Sequence, residues 1–550
     1  MNAQFPISNE IFMNKNKLAL YLLTGVIFFT FSVQPLFAQT TKQDPNAGMK
    51  KYSAAMQLIK YAYVDTVNES RLVEKAIIET LKDLDPHSMY ISKKDVQRAN
   101  EPLEGNFDGI GIQFEILRDT ISVVHSIPGG PSERLGIQSG DKIIKIDGEL
   151  TVGKKITNQF VLDHLRGKRG TKVNVSIYRK GRKEPLEFTI IRDKIPINSI
   201  DAAYLIKPGI GYVNLNKFAQ TSMQEFIESL QRLKSKGMEH LILDLRNNSG
   251  GYMGTSIELA DEFLKQGKLI VYTQGEHSPR EDYIATGLGR FETGKLVIMI
   301  NENSASASEI VAGAVQDWDR GIIVGRRSFG KGLVQRPFQL PDSSQIRLTT
   351  ARYYNPSGKC IQKPYTEGVD KYYEDFSNRI RHGELIHPDS IKFPDSLKFY
   401  TAGKRVVYGG GGIMPDVFIP WDSTPITDYY LDLRRKNVIN LFVGDYVDRM
   451  RSELKSDYPE FDRFDKNFIM DTIFMKSFFE FADKQGIRYD EKGYLLSEKL
   501  IKSQIKGLIA QKLWDMNELF AIINQNDEEV QKAVEVISDD SYFEKLKIDR

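Results

Sequence analysis

Apolar and polar positions follow three different periods along the chain. From Met49 to about Leu84, Ala54, Ile59, Ala62, Tyr63, Leu72, Ala76, Ile77 and Leu81 recur at helical spacing, until Leu84-Asp85-Pro86-His87-Ser88 breaks the run with a proline. From Gly105 to about Asp193 the pattern becomes short β-like runs between glycine turns. These are Gly109 to Phe114, Val123-Val124, Ile143 to Ile146 and Val173 to Tyr178, with one amphipathic helix over Asn158 to Arg166. From about Ile195 strands alternate with helices. Ile210 to Leu215 reads as a strand, and Ser222-x-x-Glu225 reads as a capping box opening a helix through Leu233. His240 to Leu245, Leu296 to Ile300 and Gly321 to Gly325 are further apolar strands, with helices over Thr255 to Leu264 and around Ile310, Val311, Ala314 and Val315. Gln345 to Tyr354 is β-like again.

The chain divides at these changes of period. Residues 49–104 form an N-terminal helical segment and 105–193 a β-rich module. Residues 194–362 with 406–423 form an α/β core, 363–405 a polar insertion and 424–550 a helical extension. The extension carries apolar spacing over Leu431 to Met450, Phe474 to Ala482 and Ser497 to Ile523. The expected fold class is multidomain α/β.

The first residues are of another kind. Lys15 and Lys17 precede an almost wholly apolar stretch, Leu18 to Phe31, and Leu36-Phe37-Ala38 offers a small-residue cleavage site. Residues 1–38 therefore read as a signal peptide, with an uncleaved anchor as the alternative. The body is expected outside the cytoplasm; in a bacterial cell that is the periplasm or the cell envelope. Lys and Arg number 75 against 73 Asp and Glu, so no nucleic-acid partner is expected. Cys360 is the sole cysteine, which excludes an intrachain disulfide. No cofactor and no metal are implied.

Candidate chemistry concentrates in Val297 to Gln335. Ser304, Ser306 and Ser308 lie where a strand passes into a helix, beside unpaired N–H groups and the positive end of the helix dipole. Gly330-Lys331-Gly332 follows soon after. A serine at a helix N-terminus and a lysine between glycines point to a Ser/Lys hydrolase, in which neutral lysine takes the hydroxyl proton. That requires a lysine pKa well below the usual value, which burial among Gly321 to Gly325 and Leu333-Val334 would supply. None of the seven histidines lies in this stretch, and His87 reads as a turn residue rather than a catalytic one.

SASASEIVAGA followed by SFGKGLVQ resembles the carboxy-terminal processing peptidases, or tail-specific proteases. The resemblance spans about Met49 to Pro420 and implies a core akin to that of crotonases and Clp proteases. It implies Ser306 as nucleophile, Lys331 as general base and Gln335 as the group orienting the lysine. Leu245 to Gly251 (LRNNSGG) resembles the turn giving one oxyanion-hole amide, placed on Gly251 with Gly250 as fallback; the second amide falls on Ala307. PGGPSERLGIQSGDKIIKIDG resembles a PDZ domain. Such a domain adds a peptide strand to its open edge, here with the amides of Gly109, Ile110, Gly111 and Ile112 on the terminal carboxylate. Ile110, Ile112 and Phe114 would favour an apolar last residue.

The expected partners are accordingly proteins with exposed, apolar C-termini. The insertion is expected to cap the cleft or meet a partner. The C-terminal helices suit a dimerisation arm, a cover on the protease or a platform for an envelope adaptor. The competing functions are a non-catalytic PDZ scaffold or chaperone on a protease-like core, and a crotonase-like acyl-CoA enzyme. A PDZ domain that gates the active site is a further expectation.

Overall fold

The computed structural model describes residues 44–117, 119–127 and 129–548; the signal peptide expected over 1–38 lies outside them. Among the described residues no helix is long and apolar enough to cross a membrane. The N-terminal segment, expected as one helical run, forms two helices, Ala47–Ala62 and Glu69–Leu84. The β-branched Val64, Thr66 and Val67 between them disfavour helix, and the Asn68 side chain accepts the Arg71 N–H at 3.1 Å to start the second. A short strand, Met89–Ile91, and a third helix, Val96–Glu104, follow.

In the β-rich module, strands Ile112–Leu117, Thr120–Ser126, Lys142–Ile146, Lys172–Tyr178 and Leu186–Ile191 pair in that order. Ile112–Leu117 is an edge strand, and helix Asn158–Leu165 lies beside it across a groove. Ile121, Ile143, Val173, Val175 and Ile177 fill the interior. Asn106–Gly109 pairs with Asp193–Pro196, so the chain enters and leaves the module through one two-stranded ribbon.

The core is a six-stranded sheet. Ile210–Leu215, His240–Asp244, Leu296–Ile300, Ile322–Gly325 and Val417–Phe418 run parallel, with Ile200–Lys207 antiparallel at one edge. Its strands are buried on both faces, hence their continuous apolar runs. Val213, Leu241, Leu243, Ile298 and Ile300 face helices Ser222–Ser235, Met253–Asp261 and Ala307–Asp317. Tyr212, Ile242, Val297, Met299, Ile322 and Val324 point the other way, onto Val530, Ala533, Val534 and Ile537 of helix Glu528–Ser538. The end of the C-terminal extension is thus the second helical layer of the sheet. Helix Asp540–Leu546 joins this layer through Phe543, and the C-terminal helices before these two pack on a separate core around Leu433, Phe442, Val447, Phe478 and Ile505.

One local expectation changes. The capping box at Ser222 and Glu225 does not form: Thr221 occupies the cap position, and the Glu225 carboxylate accepts the Ser199 and Ile200 amides at 2.7 and 3.1 Å instead. The insertion, read only as polar, carries regular structure. It holds helix Val369–Arg381, and strands Lys398–Tyr400 and Val406–Tyr408 form a hairpin across its end.

Candidate active site

Strand Leu296–Ile300 delivers the turn 301–305, and Ser306 then caps helix Ala307–Asp317. Its φ of 55° and ψ of −110° lie where L-residues are rarely found. The three serines of the motif are not equivalent. Ser304 Oγ donates to the Leu245 carbonyl and Ser308 Oγ to that of Asn248, both at 2.8 Å and fully buried. Ser306 is only partly buried and lines a cleft of about 460 Å³ together with Lys331, Gln335, Gly250, Gly251 and Arg347.

Glu309 joins the serine segment to the lysine segment. This fully buried carboxylate accepts the Ser306 N–H at 2.8 Å and the Lys331 N–H at 2.9 Å on one oxygen. Its other oxygen accepts the Gly330 N–H at 2.7 Å and the Ser328 hydroxyl at 2.5 Å. Burial pushes the Glu309 carboxyl upward, against these hydrogen bonds. Tyr353 repeats the pattern from the opposite side, its phenol reaching the carbonyls of Lys331 at 2.7 Å and Ser306 at 3.1 Å. One acid and one phenol therefore fix both backbones. The sequence reading missed both residues. Glu309 had a signal, the Ser306-x-x-Glu309 capping-box spacing; Tyr353, within a β-like run, had none.

Burial pulls the Lys331 amine down from its ordinary value; Arg347 adds to the effect, while Glu309 and Asp85 oppose it. Gln335 lies in the same cleft, its amide donating to Thr349 Oγ1 at 3.1 Å, and that hydroxyl donates to Asp85 at 3.0 Å. His87 stands behind this group with a ring nitrogen 2.8 Å from the Tyr372 hydroxyl. Burial, then the Lys331 charge, push its pKa down to about 4, so the ring is neutral at ordinary pH.

The glycine turn after His240–Asp244 lies directly against Ser306. A Cβ on Gly250 would stand 2.9 Å from Ser306 Cβ and 3.0 Å from the Ala307 nitrogen. The Gly250 N–H is taken by Asn248 Oδ1 at 2.9 Å. Among the described residues no acceptor takes the N–H of Gly251 or of Ala307. An amine of lowered proton affinity, a hydroxyl that donates to no backbone carbonyl and two amides without an acceptor at one cleft suit nucleophilic attack on a carbonyl with stabilisation of the resulting oxyanion.

In the β-rich module Ile110, Gly111, Ile112 and Phe114 line the groove of about 210 Å³ together with Leu162 and Leu165. Gly109 is instead taken into the ribbon opposite Asp193. Ile110 and Ile112 are also part of the module's own core. No residue of 363–405 is among those lining the catalytic cleft. Among the described residues no group of His, Cys, Asp and Glu has the arrangement of a metal site.

Residues 209–373 match peptidase family S41, 109–190 a PDZ domain, 31–95 the activating protease CtpB N-terminal domain, and 429–515 a family of unknown function. The chain is similar to the carboxy-terminal-processing protease of Bartonella bacilliformis, 33% identical over 350 residues that cover 62% of this chain and 80% of that one. Against CtpB of Bacillus subtilis it is 33% identical over 332 residues, 60% of this chain and 68% of the relative. Against CtpA of Bacillus subtilis it is 30% identical over 469 residues, 82% and 97%.

Proposed function

The chain belongs to the carboxy-terminal processing proteases, serine-type peptidases, and from that premise we propose an exported endopeptidase that uses a Ser306/Lys331 dyad on proteins bound by their C-terminal tails. Neutral Lys331 Nζ takes the proton from Ser306 Oγ as that oxygen attacks the scissile carbonyl. The negative charge moves onto the carbonyl oxygen, where the N–H groups of Gly251 and Ala307 receive it. Lys331 then returns the proton to the leaving amine, and the C–N bond breaks to leave an acyl-enzyme on Ser306. Water, deprotonated by the same amine, attacks the ester and releases Ser306. Gln335 orients the lysine amine. Gly251 is favoured over Gly250 because the Gly250 N–H already serves Asn248.

One juxtaposition carries this reading. Ser306, alone of the three motif serines in leaving its hydroxyl uncommitted to a backbone carbonyl, shares both Glu309 and Tyr353 with a lysine whose pKa is lowered.

The PDZ domain supplies the substrate tail. The open edge of Ile112–Leu117 and the apolar groove support capture of an apolar C-terminus by β-augmentation, with Ile110, Gly111, Ile112 and Phe114 as the receiving segment and Gly109, paired in the ribbon, at its base. Whether that capture also gates the active site is read from a variant lacking 105–193: unchanged turnover and unchanged activation by a tail peptide would exclude gating. Residues 1–38 support export to the periplasm or envelope. The outer C-terminal helices would then be where an envelope adaptor or a second copy docks.

The test compares wild type, Ser306→Ala and Lys331→Ala on an unfolded protein with an apolar C-terminus, free or amidated. Both variants should lose cleavage, and amidation should slow the wild type. Cleavage surviving in Lys331→Ala would assign the base to another group. Tail binding without cleavage by any form would favour the PDZ scaffold.

A further inference from the structure

Outside the residues that line the cleft, six charged side chains meet. Arg246 Nη2 donates to Asp244 at 2.7 Å, and its Nη1 reaches Asp527 at 3.0 Å and Glu529 at 3.1 Å. Arg326 Nε donates to Glu302 at 2.8 Å and its Nη1 to Glu529 at 2.5 Å. The side chains of Asp244 and Arg326 are 1% and 5% exposed and those of Arg246 and Glu529 14% and 17%, so the network is largely, not wholly, withdrawn from bulk water. Asp244 is further held by the Tyr212 hydroxyl at 2.7 Å.

The positions of these residues matter more than their number. Arg246 opens the turn that ends in Gly250 and Gly251. Glu302 lies in the turn that leads to Ser306. Arg326 directly follows the strand Ile322–Gly325, from which the Lys331 loop departs. Each of the three segments proposed to carry the reaction therefore sends one charged side chain to the same point. Asp527 and Glu529 come from elsewhere: they begin helix Glu528–Ser538, in the C-terminal domain. That helix is anchored by Val530, Ala533, Val534 and Ile537 on the sheet, so its first turn has little freedom to follow a moving loop. Within the group, Glu529 is the one acid that bonds both arginines.

We infer that Glu529 is a positioning residue of the peptidase, holding the oxyanion turn and the strand before the lysine loop at a fixed distance. Without its charge, Arg246 keeps Asp244 and Asp527 and Arg326 keeps Glu302, but no acid ties the two arginines to each other, and the two segments lose the link that fixes their separation. The expected defect is in transition-state geometry rather than substrate binding, because the PDZ groove and the cleft walls are untouched. The inference rests on the Ser306/Lys331 reading for its effect on rate, though its effect on the two segments can be read without any activity.

The experiment uses the full chain with Glu529→Gln, which keeps shape and loses charge, and Glu529→Asp, which keeps charge. Glu529→Gln should lower kcat on a short peptide and the rate of Ser306 labelling by a fluorophosphonate by about 10-fold or more, below the 10²–10³ of losing an oxyanion donor outright. KM should stay within about two-fold. Glu529→Asp should recover most of the rate. Hydrogen exchange should quicken in 246–251 and 326–332 of Glu529→Gln and stay as in wild type elsewhere.

Unchanged exchange in those two segments would overturn the inference whatever the activity. So would exchange that rises evenly through the chain with kcat falling only as the unfolded fraction grows, since that describes a stability residue. If local exchange quickens but neither Ser306→Ala nor Lys331→Ala affects cleavage, the positioning stands and the dyad assignment fails.

Discussion

At the scale of single residues the site turns on how one amine is kept neutral. Lys331 loses proton affinity through burial, and the nearby Arg347 guanidinium pushes the same way, while Glu309 and Asp85 pull back. Protonated Lys331 cannot accept a proton from Ser306, so kcat/KM should rise with pH along a limb whose midpoint lies below the ordinary lysine value of about 10.4. Arg347→Gln removes a positive neighbour. It therefore raises the Lys331 pKa, and the limb should move to higher pH with activity at neutral pH falling accordingly. Arg347 also lines the cleft, so a lower plateau alone would report lost substrate contact. A limb that stays in place would sink the electrostatic account.

At the scale of elements, the polar insertion acts on the lysine loop from behind. Arg379, in helix Val369–Arg381 and 3% exposed, donates to the carbonyls of Ser328 at 2.8 Å and Phe329 at 3.1 Å, just before Gly330-Lys331. Asp375 lies 2.9 Å from the same guanidinium, and Arg327 pairs with Glu384 at 2.6 Å. Arg379→Met would leave the carbonyls without their donor and Asp375 with one cation fewer. It should cost about 1–3 kcal/mol in denaturant unfolding, the range for buried acceptors left without a donor, and loosen 328–332 in hydrogen exchange, while Asp375, 30% exposed, keeps Lys363. A loss below about 1 kcal/mol would place the support elsewhere. The sequence did not reveal this role, because a long side chain reaching another segment's backbone leaves no periodic signal. What it did reveal is local: buried strands such as Leu296–Ile300 announce themselves as unbroken apolar runs, and the motifs around Ser306 and Lys331 mark the candidate site. It could not separate Ser306 from Ser304 and Ser308 by itself, since the hydroxyl partners, Leu245 and Asn248, come from about 60 residues away. At Ser222 the capping-box spacing misled, because Glu225 found better donors in Ser199 and Ile200 across the fold.

At the scale of the molecule, the question is whether the last 127 residues, 424–550, are an appendage or part of the protease. Amphipathic helices state that one face needs a partner, never which partner, so the sequence left dimer arm, cover and platform open. In the fold their final helices cover a face of the parallel sheet that no other helical layer reaches among the described residues, and Tyr212, Ile242, Val297, Met299, Ile322 and Val324 are fully buried there. A parallel sheet bare on one side exposes a broad apolar surface and is not a stable arrangement in water. A chain ending at Ser423 should therefore aggregate or fail to melt cooperatively, even though it retains the PDZ domain and every residue proposed for catalysis. Val534→Asp in the full chain should reproduce part of that defect, because an aspartate at a 2% exposed position on the sheet has no partner for its charge. Solubility, calorimetry and Ser306 labelling of both variants decide the matter. A soluble, cooperatively melting and label-competent 39–423 fragment would return the extension to the role of a separate module. Its loss of fold would make the C-terminal helices as much a part of the peptidase as the strands they cover.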